Sequence, residues 1–237
     1  MMKNLLKEIS LGFKTVRYGF QLKSNIAMVI IFFILGILSD IFCGGTALSY
    51  FGGIYMSIGA IVPMQLICSL GVSSIAKTSP KRKHMETFIP TACSTITMLV
   101  VYTVLVIIKG ILCQLNPENA KVISSQLIAV GITCAVILVY CGVVYKHFVI
   151  SMILLIGAMS IGGGYTGVML ATVDELEGGS SLLTANIPFS TSFGAATLAG
   201  YVLVLIGGFL CLLLTNLFYK HEMSKWAYGA ALRKAMQ

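Results

Sequence analysis

The sequence predicts an all-α integral membrane protein with six transmembrane helices, an N-terminal amphipathic helix at the membrane surface and both termini in the cytoplasm. Three observations lead there. Of 237 residues, 57% are hydrophobic and 10% charged, against roughly 25% charged in an average soluble domain. That much apolar surface exceeds what one aqueous core of this length can hide, and lipid tails remove the difficulty. The apolar residues also gather into six segments, and the basic residues fall almost wholly on one side of them.

The segments are 26–43, 53–76, 89–115, 125–145, 148–170 and 193–219. Each lies near the roughly 20 residues that carry a helix across about 30 Å of hydrocarbon. Residues 1–25 then form a surface helix, 26–219 the membrane domain and 220–237 a basic cytoplasmic tail. The first apolar run starts some twenty-five residues in, with no A-x-A-like site after it, and is expected to stay as a span.

Basic residues set the direction. Lys3, Lys7, Lys14, Arg17, Lys23, Lys77, Lys81, Arg82, Lys83, Lys146, Lys220, Lys225, Arg233 and Lys234 fall on one side, and only Lys109 and Lys121 on the other. Excess Lys and Arg marks the cytoplasmic face. The net charge of +8 is expected to meet lipid headgroups, because no stacking aromatics are interleaved with the basic runs as nucleic acid would require. Lys109 and Asp40 fall near the outer ends of their helices and are expected to snorkel to the headgroups. The helix centres carry no Asp, Glu, Lys or Arg, which counts against a proton-driven carrier.

Three stretches outside the spans carry information. In 3–23, Leu5, Leu6, Ile9, Phe13, Val16 and Phe20 share one helical side, opposite Lys3, Lys7, Ser10, Lys14, Arg17 and Gln21. A basic amphipathic helix of this kind lies along the headgroups. In the cytoplasmic segment 77–90, Ser79 suits an N-cap and Pro80 a first helical position, predicting a short helix over 80–88 with a bend near Pro90. The outer segment 171–192 is long and, after Glu177, uncharged, so it either dips into the outer leaflet or forms a surface loop. Within the spans, Pro63 is expected to kink the second, and five glycines (Gly157, Gly162, Gly163, Gly164 and Gly167) give the fifth room for close packing or unwinding.

Chemistry-bearing motifs are missing. The glycine run at 162–167 lacks the lysine of a phosphate-binding loop, and there is no zinc-binding H-E-x-x-H or nucleophile-elbow G-x-S-x-G. His84, His147 and His221 sit at cytoplasmic edges and read as solvated. Seven scattered cysteines form no C-x-x-C pair and read as small hydrophobes, with a Cys43–Cys113 disulfide an unsupported option. Gln65, Asn186 and Asn216 are the best polar set available for a membrane-embedded enzyme, and a poor one. No catalytic, cofactor-binding or metal-binding residue is assigned, and the chain is not expected to be an enzyme by itself.

The layout, and most specifically residues 78–90, resembles the membrane subunit of an ABC-2 type (type V) ABC exporter of the small bacterial kind. The resemblance implies that Ser79, Pro80, Lys81, Arg82, Lys83, His84, Met85 and Glu86 form a coupling helix that contacts a separate ATPase. It implies ATP and Mg bound on that partner, and a second permease copy, identical or not, in a bacterial plasma membrane. The cargo it implies is an amphipathic substrate, possibly a peptide, moved outward. The outer segment would correspond to re-entrant helices, although 171–192 is short for them. The alternatives are a stand-alone secondary carrier and a non-transporting membrane immunity or assembly protein.

Overall fold

The computed structural model describes residues 2–17, 22–42, 49–70, 82–117, 120–144, 146–157, 160, 192–221 and 225, and no strand occurs among them. The helices are α1 (Met2–Val16), α2 (Leu22–Phe42), α3 (Ser49–Ile58), α4 (Ile61–Leu70), α5 (Arg82–Glu86), α6 (Phe88–Leu115), α7 (Ala120–Val144), α8 (Phe148–Gly157) and α9 (Phe193–Leu217). Five helical stretches among the described residues are long and apolar enough to cross a membrane: Leu22–Phe42, Tyr50–Cys68, Lys83–Leu115, Ala120–Val144 and Phe193–Leu217. Of the expected fifth span, 148–170, the structure describes α8, which is apolar but shorter than a crossing, and Ser160. The remainder of that span, with Gly162, Gly163, Gly164 and Gly167, and residues 171–191 lie outside the described residues.

α7 is the hub. It is buried along most of its length, which explains why its sequence is apolar all round and lacks a polar stripe. α9 runs parallel to it, and the two meet through small residues. A side chain built at Gly131 would stand 2.8 Å from the Cα of Gly200, and one at Gly207 would stand 2.6 Å from the Cα of Ala135. Membrane helices associate through such van der Waals contact, since apolar burial from lipid supplies little. α2 lies antiparallel to α3 on the same principle, with a Gly36 side chain meeting Met56 and the Gly52 carbonyl at 2.6 and 2.8 Å. Close glycine packing is therefore found at α2–α3 and α7–α9, pairs that the glycine count along the sequence did not single out.

Both predicted prolines act on the residue four before them. A proline ring clashes with that carbonyl and offers no N–H to it. For Pro63 the residue is Gly59, and the second span breaks into α3 and α4 at Gly59–Ala60, where Ala60 N–H donates to the Ser57 carbonyl at 3.1 Å. For Pro90 it is Glu86, where α5 ends. The helix is thus interrupted at Thr87, three residues before the position where a bend was expected, and Pro90 itself sits in the first turn of α6. Backbone bonding nonetheless runs across the junction: Thr87 N–H donates to the Lys83 carbonyl at 3.0 Å, and Thr91 N–H to the Thr87 carbonyl at 3.4 Å. The α6 hydroxyls of Thr91, Thr95, Thr97 and Thr103 each donate to the carbonyl four residues earlier, which keeps them satisfied away from water.

The bundle has two distinct ends. At one, α1 lies against α6 with Gly12 pressed onto Ile89 and Cys93, and the Lys146 ammonium donates to the His221 carbonyl at 2.7 Å. The described parts of both termini therefore gather at this end. At the other, Phe193 at the start of α9 packs beside Gly110 near the end of α6. His147, which follows α7, is at the first end, beside Phe218 and His221.

Candidate functional site

Two polar constellations stand out, one at each end. The first is built on α5. Of its side chains, Lys83 is exposed while His84, Met85 and Glu86 are half-buried. His84 Nε2 lies 2.8 Å from Glu8 Oε2 on α1 and its ring stacks on Phe88 at 4.9 Å between centroids. The Lys83 ammonium lies 5.9 Å from the centre of the Tyr219 ring, at the end of α9. Met85 and Phe88 rest on Ile67, Ile89 and Cys93. A groove of about 500 Å³ opens between these elements, with Glu8, Lys83 and His84 on its rim and Phe88 and Leu212 among its walls.

α5 is thus braced from two sides, by the surface helix and by the last span. Of the eight residues expected to contact a partner, Arg82, Lys83, His84, Met85 and Glu86 form the helix, while Ser79, Pro80 and Lys81 lie outside the described residues. His84 lies on a helix and not in a loop, and while partly exposed it ties α5 to α1. His147 and His221 also pack, edge-on, around Phe218. α1 keeps Lys7, Ser10 and Lys14 exposed, in agreement with the polar side read from its periodicity, although Phe13 is also largely exposed and Gly12 makes the closest contact with the bundle.

The His84 and Glu8 side chains are 40% and 34% exposed, so the pair contributes no more than about 1 kcal/mol. Glu8→Ala should therefore leave the unfolding midpoint nearly unchanged, yet loosen α1. Hydrogen exchange of residues 2–16 should quicken by no more than about fivefold. Exchange identical to the native protein would mean that packing of α1 on the bundle, such as at Gly12, holds the helix without the pair.

The second constellation is buried and was misjudged from sequence. Lys109 and Asp40 do not snorkel: both side chains have 0% exposure, and Lys109 Nζ donates to Asp40 Oδ1 at 2.9 Å. The same ammonium donates to Gln126 Oε1 at 3.0 Å. Three helices, α2, α6 and α7, supply one side chain each. Lys109 precedes the end of α6 by six residues, about 9 Å along the axis. Asp40 sits against Gly52, where an added side chain would come within 2.9 Å of Oδ1, so α3 closes the fourth side. Further along the bundle, Tyr50 Oη and Thr133 Oγ1 are 2.7 Å apart and Ser57 Oγ donates to the Gly53 carbonyl at 2.7 Å, all buried. Spacing along the sequence held no hint of the triad, because its members are 69 and 17 residues apart.

Other candidates do not assemble. No described hydrogen bond joins Gln65 to Asn216, whose amide donates to the Leu212 carbonyl of its own helix at 3.2 Å, and Asn186 lies outside the described residues. The described cysteines are free thiols, and Cys43 is outside them. Among the described residues no three His, Cys, Asp or Glu are grouped to hold a metal ion.

Comparison with family models, curated proteins and solved structures finds no match in any of the three.

Proposed function

We propose that this chain is the membrane permease subunit of an ATP-driven exporter of the ABC-2 type, with six crossings and both termini in the cytoplasm. The observation that carries the reading is α5. It is a short helix at the bundle end where the described terminal segments gather, its Lys83 is exposed, and its backbone bonding continues through Thr87 into the long span α6. A partner pushing on α5 moves α6 directly, and through His84 and Lys83 it moves α1 and the end of α9 as well. Such a helix is what a separate ATPase needs as a lever.

The topology supports the sixth crossing. His147 and Phe193 stand at opposite ends of the bundle, which favours a further crossing between them. The fourteen-to-two division of basic residues supports assigning the α5 end to the cytoplasm. In this reading two permeases join two ATPases, ATP with Mg is bound by the partner, and an amphipathic substrate such as a peptide moves outward across a bacterial plasma membrane.

One observation favours a second reading. A buried Asp–Lys pair inside a membrane bundle is a feature of ion-coupled carriers, and a carrier would need no ATPase. The deciding experiment is affinity purification of the tagged protein in mild detergent, with mass spectrometry of what accompanies it. The expected result is a stoichiometric chain bearing a phosphate-binding loop, lost when Lys81, Arg82 and Lys83 are changed to alanine while membrane orientation is preserved. A preparation free of any nucleotide-binding chain, with transport persisting without ATP hydrolysis, would replace the exporter by the carrier.

A further inference from the structure

We infer that Asp40, Lys109 and Gln126 form a latch that holds α2 to the α6–α7 pair at the outer end of the bundle, and that parts when that end opens. The outward opening rests on the exporter reading; the latch itself does not.

The two attachments of α2 differ in kind. Toward α3 it is held by backbone proximity at Gly36 and Gly52, reinforced by Phe32 stacked on Tyr55 at 6.0 Å. Such contacts join α2 and α3 into one unit. Phe33 and Ile37 of α2 also pack against the bundle core, while Ile30, Ile31, Ile34, Leu38 and Ile41 are exposed. Toward α6 a polar connection is the Asp40–Lys109 pair, which Gln126 of α7 supports from the far side. A charged pair is a switchable joint: it is strong while sealed, and water or a polar substrate competes for it once the seal opens. Packed glycine contacts have no comparable competitor.

The location fits a hinge. The α2–α3 unit is connected to α4 through the Gly59–Ala60 turn, where α-helical bonding gives way to bonds to the carbonyl three residues back. The triad sits at the far end of that unit, at the start of α3, so a rotation about the turn displaces Asp40 most, and it also parts the Tyr50–Thr133 hydrogen bond and the Gly53–Val130 contact that seat α3 on α7. Gln126 adds direction. As a neutral second acceptor on α7 it positions the Lys109 ammonium against Asp40 in the closed arrangement, so that its loss weakens the joint.

The test measures distance across the latch. Phe42 at the end of α2 and Leu115 at the end of α6 are both highly exposed and accept spin labels as cysteines, in a background with the native cysteines replaced. In nanodiscs, the latched protein should give one short distance. In Asp40→Leu with Lys109→Leu, which leaves no lone charge behind, a separated population should rise roughly tenfold, from the about 1% typical of a minor state. Lys109→Arg, which keeps the pair, should retain the short distance. Gln126→Leu, which keeps the ion pair but removes one acceptor, should give an intermediate rise, and decides the matter if the double variant does not yield folded protein. A single native distance in the double variant, or in Gln126→Leu where that stands in for it, would overturn the latch and leave the triad as static packing. Neither outcome depends on whether an ATPase co-purifies.

Discussion

Lys109→Ala is expected to destabilise the bundle by about 3 to 5 kcal/mol, the cost of removing one partner from a buried ion pair. Asp40 would remain at 0% exposure, with Gly52 crowding it and its ammonium gone. The relevant comparison is Asp40→Leu with Lys109→Leu together. Replacing both ions by apolar groups removes two desolvation costs along with the attraction, so that variant should recover most of the loss. Unfolding in a denaturing-detergent titration, read by helical circular dichroism, measures both. An unchanged midpoint for Lys109→Ala would mean that Lys109 reaches the headgroups in the membrane, as its sequence position first suggests. The contrast between single and double variants also separates an energetic role from the latch: a double variant can be stable and still fail to stay closed.

The second large effect lies in the α7–α9 seam. Gly131→Leu and Gly207→Leu place a side chain where the backbone of the facing helix already stands, at 2.8 Å from the Gly200 Cα and 2.6 Å from the Ala135 Cα. A rotamer change cannot relieve a clash with backbone, so the helices must separate. The expected loss is at least the 1 to 3 kcal/mol usual for overpacking, about 3 kcal/mol or more here. Gly194→Ala is the control, because nothing lies within 4 Å of its added methyl. It should leave the midpoint unchanged or raise it slightly, since alanine is the better helix former. Equal midpoints for Gly131→Leu and Gly194→Ala would show that α7 and α9 do not approach this closely in the membrane.

Some of the site was legible and some was not, for identifiable reasons. The short helix before the third span was readable because its signals are local: Pro80 near the start, Pro90 near the end and a basic run between them. A bend near Pro90 was expected from the extended preference of the residue before a proline; Ile89 is instead helical, and the helix is interrupted at Thr87, beside the Glu86 carbonyl four residues before the ring. That His84 ties α5 to α1 was not readable, since Glu8 is 76 residues away. Lys109 and Asp40 were misread for a related reason. A charge near the end of an isolated apolar helix reaches the headgroups easily, and only the placement of neighbouring helices decides whether it faces lipid or the bundle interior.

The sequence by itself pointed to lipid as the solvent and placed, among its six apolar segments, the five helices that the structure shows as long enough to cross it. Apolar segments near the length of a bilayer must be helices there, because lipid offers no partner for an open backbone. The uneven distribution of Lys and Arg gave them a direction to be tested. Tertiary structure alone decided which faces meet. Helix packing within lipid turns on small-residue contacts such as Gly131 with Gly200, and on buried polar partners such as Lys109 with Asp40 and Gln126. Neither leaves a periodic trace, because lipid and protein interior are equally apolar and the sequence carries no water-facing stripe to mark the difference.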